Sequence, residues 1–177
     1  GHGESELDTQ YYAEYVSKEN VLTATLNLIR SEEIPADCSA ILIANPTGDI
    51  SEDELKVLKD YMANGGSVIL VTSYKFTAKT SPNLAALAEA AGLKALEGVA
   101  VEKDANMYYG YPYWLVPSIM SSSNSVTSYL DSTSINVIFE TAHGIEKVEG
   151  TDANVTSILQ TSSSAVMMKV AEGGLVD

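Results

Sequence analysis

The sequence predicts an α/β fold: a doubly wound, mostly parallel sheet with an elaborated C-terminal part. Three observations in residues 39–74 predict it. Ile41 to Ala44 and Val68 to Val71 are short all-apolar runs, the pattern of strands buried on both faces. Between them Leu55, Leu58, Tyr61 and Met62 recur at helical spacing, while Glu52, Asp53, Lys56, Lys59 and Asp60 take the other faces. Two such strands joined through an amphipathic helix are expected to run parallel, with a right-handed crossover.

Taken in order, Gly1 to Glu4 lead into a helix over Ser5 to Lys18, whose apolar face carries Leu7, Tyr11, Tyr12, Tyr15 and Val16. Val21 to Leu28 alternates and predicts a strand. Ile29 to Ser39 is a connector with a turn at Glu33-Ile34-Pro35-Ala36-Asp37. The turn Asn45-Pro46-Thr47-Gly48-Asp49 stops the strand at Ile41 to Ala44. Ser51 caps the central helix, with Glu54 three residues on to complete a capping box. Gly65-Gly66 supplies the left-handed residue that ends it. Thr72 to Ser81 is a polar loop, Asn83 to Ala91 a short helix closed by Gly92, and Leu93 to Val101 a segment holding a strand.

The order α-β-β-α-β-α-β over residues 1–104 is that of a doubly wound sheet lacking its first strand. Residues 105–177 extend the same single domain. They hold an aromatic stretch (Met107 to Pro117), a serine-rich stretch (Ser118 to Ser134), and strands at Ile135 to Phe139, Ala153 to Leu159 and Ala165 to Val170.

Composition narrows the function classes. A net charge of −14, from 24 acidic against 10 basic residues, argues against a nucleic-acid partner and against adhesion to an anionic bilayer. Cys38 is the single cysteine, which excludes a disulfide within the chain and a cysteine-based metal site. No stretch reaches the ~18 apolar residues of a membrane span, and no leader peptide stands at the start. Both ends, Gly1-His2-Gly3 and Gly173 to Asp177, look trimmed.

In an open parallel sheet, ligands bind beyond the carboxyl ends of the strands. His2, Glu4, Asn45, Asp49, Ser73 and Tyr74 form the expected pocket on that ground, the alternative being that they are turn and cap residues. No catalytic residue is expected. Ser73 follows a strand without the flanking glycines of a nucleophile elbow, and Cys38 precedes its strand. Only His2 and His143 could serve as base. No phosphate-loop glycine pattern occurs, though Gly1-His2-Gly3 could hold a small anion through free amides. Asp37, Asp49, Asp104 and Asp152 are isolated, so neither a metal nor a cofactor is expected.

The strongest compositional anomaly is Tyr108, Tyr109, Tyr111, Tyr113 and Trp114: five of the thirteen aromatic residues within seven positions. Tyrosine and tryptophan give large contact area with a polar handle, so this run is a candidate partner surface. A satellite core under a loop and a carbohydrate-binding platform are the alternatives. Asn154-Val155-Thr156 matches a glycosylation acceptor, as isolated triplets do by chance.

Several strings in this order resemble one family. They are Gly1-His2-Gly3-Glu4, Glu33-Ile34-Pro35-Ala36-Asp37, Asn45-Pro46-Thr47, Ser51-Glu52-Asp53-Glu54-Leu55, Tyr61 to Ser67, Asn83-Leu84 with Gly92-Leu93, and His143-Gly144-Ile145. Together, over most of the chain, they resemble the soluble domain of Gld-type auxiliary proteins of ABC transporters, related to a gliding-motility component. The resemblance implies a fold similar to flavodoxin-like or class I glutamine-amidotransferase-like domains. It also implies a domain held outside the cytoplasm by membrane helices, beside ABC permease and ATPase subunits, with no established catalytic residues.

One departure stands out. In the family a strand ends in the Gly-His-Gly-Glu turn, and here nothing precedes Gly1, so a neighbouring copy in a homo-oligomer or another segment would fill that place. Alternatively Gly1-His2 is a tag remnant. The expected function is a non-catalytic interaction or ligand-binding domain. The rival is a small-molecule binding or hydrolytic domain of amidotransferase-like ancestry, which a Cys or Ser hydrogen-bonded to a His would favour.

Overall fold

The computed structural model describes residues 2–3, 9–31, 33–120, 124–133, 136–172 and 174–176. The chain divides into two compact units, residues 1–72 with 78–87 and residues 73–77 with 88–177.

The first unit contains α1 (Thr9–Lys18), α2 (Leu28–Ser31), β1 (Ala40–Ala44), α3 (Glu52–Ala63), β2 (Ser67–Val71) and the start of α4 (Pro82–Ala90). β1 and β2 pair in parallel, from Ala40 opposite Ser67 to Ala44 opposite Val71, as the apolar runs flanking an amphipathic helix predict. α3 begins at the Ser51 capping box and ends where Gly65 takes φ +91, a region open to a residue without Cβ. Leu58 is fully buried, and Leu55, Tyr61 and Met62 are half-buried on the same face.

Two expectations fail in this unit. In β1 Ile41, Ile43 and Ala44 are buried and Leu42 is half-buried, but β2 exposes Ser67, Ile69 and Val71, so it is not covered on both faces. Val21 to Leu28 forms no strand: residues 21–27 carry no regular structure, Leu22 is 96% exposed, and Leu28 opens α2 instead. Alternation makes a segment fit for a ladder, but a strand exists only where a neighbour supplies the hydrogen bonds. The helix expected from Ser5 is described from Thr9; residues 4–8 lie outside the described residues.

The second unit is a patchwork of short strands. In chain order they are β3 (Leu93–Ala95), β4 (Val99–Val101), β5 (Trp114–Leu115), β6 (Ser118–Ile119), the helix α5 (Ser128–Thr133), β7 (Phe139–Glu140), β8 (Ile145–Lys147), β9 (Leu159–Gln160), β10 (Val166–Ala171) and β11 (Gly174–Val176). Every pairing described in this unit is antiparallel: β3 with β8, β5 with β7, β6 with β9, and β10 between β4 and β11. Loop amides tie these ladders together. Leu96 donates to Gly144, Ala100 to Ala142, Glu102 to Pro112 and Thr141 to Tyr113. The unit's buried hydrophobic side chains, among the described residues, are Phe76, Val99, Ala100, Val101 and Leu115, with Glu102 and Thr127 buried as polar groups. Gly98, at φ +101, lies so close to the Met168 carbonyl that a side chain there would strike it.

The predicted doubly wound parallel sheet is therefore corrected. Among the described residues, parallel pairing is confined to β1 and β2, and the other ladders are small and antiparallel. The flavodoxin-like and class I amidotransferase-like expectation falls with it. A parallel sheet needs a crossover of a dozen or more residues between successive strands. After α4 the strands run two to six residues and are separated mostly by loops, so antiparallel return is the geometry available to them.

Candidate functional site

Of the residues expected to converge beyond the strand ends, His2, Asn45, Asp49 and Ser73 take part in turns and caps. His2 Nε2 donates to the Glu54 carboxylate at 2.9 Å, and the His2 carbonyl accepts the amides of Thr47 and Gly48. Glu54 also accepts the Ser51 amide at 2.8 Å, while the Ser51 hydroxyl accepts the Glu54 amide. Burial would raise the Glu54 pKa, but the Ser51 amide, the His2 imidazole and the Ser51 hydroxyl outweigh it and hold the carboxyl below its ordinary value.

Asn45 takes φ +47, and its amide bonds the Val71 carbonyl where β1 turns away. Asp49 accepts the amides of Asn83 and Leu84 at 2.9 and 3.0 Å, putting a carboxylate on the N-terminus of α4, whose own first turn has no acid. Ser73 and Tyr74 belong to the second unit: the Ser73 carbonyl accepts the Phe76 amide, and Lys75 Nζ sits 6.0 Å from the Tyr74 ring. Glu4 lies outside the described residues.

The nucleophile candidates are placed as follows. Cys38 Sγ lies within 3.5 Å of the Ala40 carbonyl and 3.9 Å of the Tyr61 hydroxyl. His143 Nδ1 donates to the Gly144 carbonyl at 3.0 Å, and its ring lies 6.1 Å from that of Phe76. Neither Cys38 nor Ser73 bonds a histidine among the described residues. Within those residues no group of three or more His, Cys, Asp or Glu side chains could hold a metal ion. No helix of the described residues is long and apolar enough to cross a membrane.

One carboxylate that sequence reasoning missed is the most heavily bonded in the molecule's second unit. Glu102 is 1% exposed. It accepts the amides of Lys103, Asp104 and Ser162 and the hydroxyls of Ser162 and Ser164, at 2.6 to 3.2 Å. Burial alone would raise its pKa; the Ser162 hydroxyl, the Asp104 and Ser162 amides and the Ser164 hydroxyl lower it to about 2. This is a structural clamp between the end of β4 and the Thr161 to Ser164 loop.

The aromatic run forms a candidate surface built from several neighbouring side chains. Tyr108 bridges to Leu115, the Tyr109 amide donates to the Trp114 carbonyl, and the Trp114 amide donates to the Tyr111 carbonyl, closing a tight loop with Gly110 at φ +73. The Tyr111 ring stacks on Tyr113 at 5.4 Å and meets Trp114 edge-on at 5.2 Å. Tyr108, Tyr113 and Trp114 are half-buried, and Leu115 beside them is buried. Tyr109 and Tyr111 stay 64% and 53% exposed. Trp114 Nε1 is buried without a hydrogen-bond partner among the described residues. Across the ladder Trp114 faces Glu140 and Leu115 faces Phe139, both partners exposed. The rings lean on one another rather than lying side by side in a plane, so they do not form the flat platform a sugar would need.

No protein-family model matches the sequence, and no curated protein matches it. Among solved structures it is similar to the mmIFT52 N-terminal domain, with a TM-score of 0.63 and 15% identity over 93% of this chain and 72% of that one. At that identity the likeness concerns fold alone. The fold to which this chain is similar is thus that of the mmIFT52 N-terminal domain, in place of the doubly wound parallel sheet that the sequence predicts.

Proposed function

We propose that this chain is a non-catalytic interaction domain that docks a partner protein through the Tyr108 to Trp114 segment. The observation that carries the reading is that Tyr111 stays mostly exposed while its ring stacks on Tyr113 and meets Trp114 edge-on, with the mostly exposed Tyr109 two residues before it. Ordered, exposed aromatics lose little conformational freedom on binding and bury large area, which is how interface anchors work. His2, Asn45, Asp49 and Ser73 are engaged in caps and turns, which favours docking over small-molecule chemistry. The wider setting is part of the same proposal and rests on the sequence resemblance alone: an auxiliary component of an ABC transport system, its soluble domain on the extracytoplasmic side.

The test substitutes Tyr109 and Tyr111 with alanine in the full-length protein and follows its migration on native gels of gently solubilised membranes. The reading expects the high-mass species to disappear while the thermal midpoint of the purified chain stays unchanged. A persisting high-mass species, or a chain that unfolds, overturns it.

A further inference from the structure

Resting on that docking reading, we infer that the partner segment is basic and presents an arginine, its guanidinium lying on the Tyr111 ring and its fork engaging Glu140. Glu140 stands directly opposite Trp114 in the β5–β7 ladder, and residues so paired project from the same side of the sheet. Trp114 in turn holds Tyr111 edge-on at 5.2 Å. An exposed carboxylate therefore stands across the ladder from the tryptophan that packs against the exposed Tyr111 ring. Glu140 makes no ion pair among the described residues, so its charge is available to an incoming cation.

Arginine fits this pair better than lysine. Its planar guanidinium stacks on an aromatic face and grips a carboxylate with two parallel N–H donors, whereas an ammonium is a strongly hydrated point charge. The net charge of −14 steers cationic segments toward the chain and repels acidic ones. It also disfavours a second copy as occupant: each copy is equally acidic and carries a single arginine, Arg30.

Trp114 is the only tryptophan, so its emission reports on this surface alone. The experiment titrates the intact chain with acetyl-Gly-Arg-Gly-Arg-Gly-amide, with its lysine and citrulline counterparts, and with maltohexaose. The arginine peptide should change the emission saturably, the lysine peptide should bind roughly tenfold more weakly, and the citrulline peptide should do nothing. Glu140→Gln should weaken arginine-peptide binding about tenfold. Tyr111→Leu should abolish it and Tyr111→Phe should retain it. Equal binding of the lysine and arginine peptides, indifference to Glu140→Gln, or no response to any peptide overturns the arginine assignment. The docking reading then still stands or falls on the Tyr109 and Tyr111 native-gel result. A response to maltohexaose alone overturns both, because the surface is then a sugar platform.

Discussion

Glu54 in the first unit and Glu102 in the second are both buried carboxylates with lowered pKa values, but they are held in different ways. Glu54 closes a box with Ser51, three residues away, and gains one distant partner, His2. Glu102 draws two of its partners from Ser162 and Ser164, about sixty residues on. The β1–α3–β2 unit around Glu54 is assembled from elements adjacent in the chain. The small sheets around Glu102 are assembled from strands of two to six residues that depend on long-range bonds. Losing a local cap weakens one helix end, whereas losing a long-range clamp releases a loop from the sheet it closes.

The largest effect should come from Glu102. Replacing it with alanine strands the Asp104 and Ser162 amides and should destabilise the protein by about 3 kcal/mol, measured by urea unfolding. Its folded pKa of about 2 lies below the ordinary value of 4.5, so its contribution is complete above that ordinary value and is lost as pH falls toward about 2. The urea midpoint of the native chain should fall through that window, and that of Glu102→Gln should fall less.

Next comes Gly98→Ala. With φ at +101 and the Met168 carbonyl in the way, it should cost about 2 kcal/mol, again by urea unfolding. Ser51→Ala should cost only about 1 kcal/mol, read as a small drop in thermal midpoint with amide exchange rising in the first turn of α3. If Ser51→Ala proves as costly as Glu102→Ala, the contrast between local cap and long-range clamp fails. Replacing Tyr109 and Tyr111 should change stability least, by under about 0.5 kcal/mol, because neither ring is buried.

The same contrast explains what could be read in advance. Ser51 with Glu54, Gly65, and the two apolar runs of β1 and β2 were legible because their causes lie within a few positions. The alternation of Val21 to Leu28 misled, since a pattern of side chains says nothing about whether a neighbouring strand is present. Strands such as Trp114–Leu115 and Leu159–Gln160 are too short to carry a period at all. One parallel pair therefore does not determine the pairing of the strands that follow it. The crowding of aromatics at 108–114 was visible, but not which rings stay exposed, nor that Glu140 stands opposite Trp114, which only the β5–β7 register fixes. That Asp49 caps a helix thirty-four residues on is not visible in its neighbours in the sequence.

The central claim is that the Tyr111 ring meets a partner protein. A photo-crosslinking phenylalanine analogue placed at position 111 of the full-length protein in its native cells tests it most directly, with the still more exposed Tyr15 position as control. A single reproducible protein adduct from position 111 and none from position 15 is the expected result. Identical adducts from both positions, or none from position 111, would contradict the account.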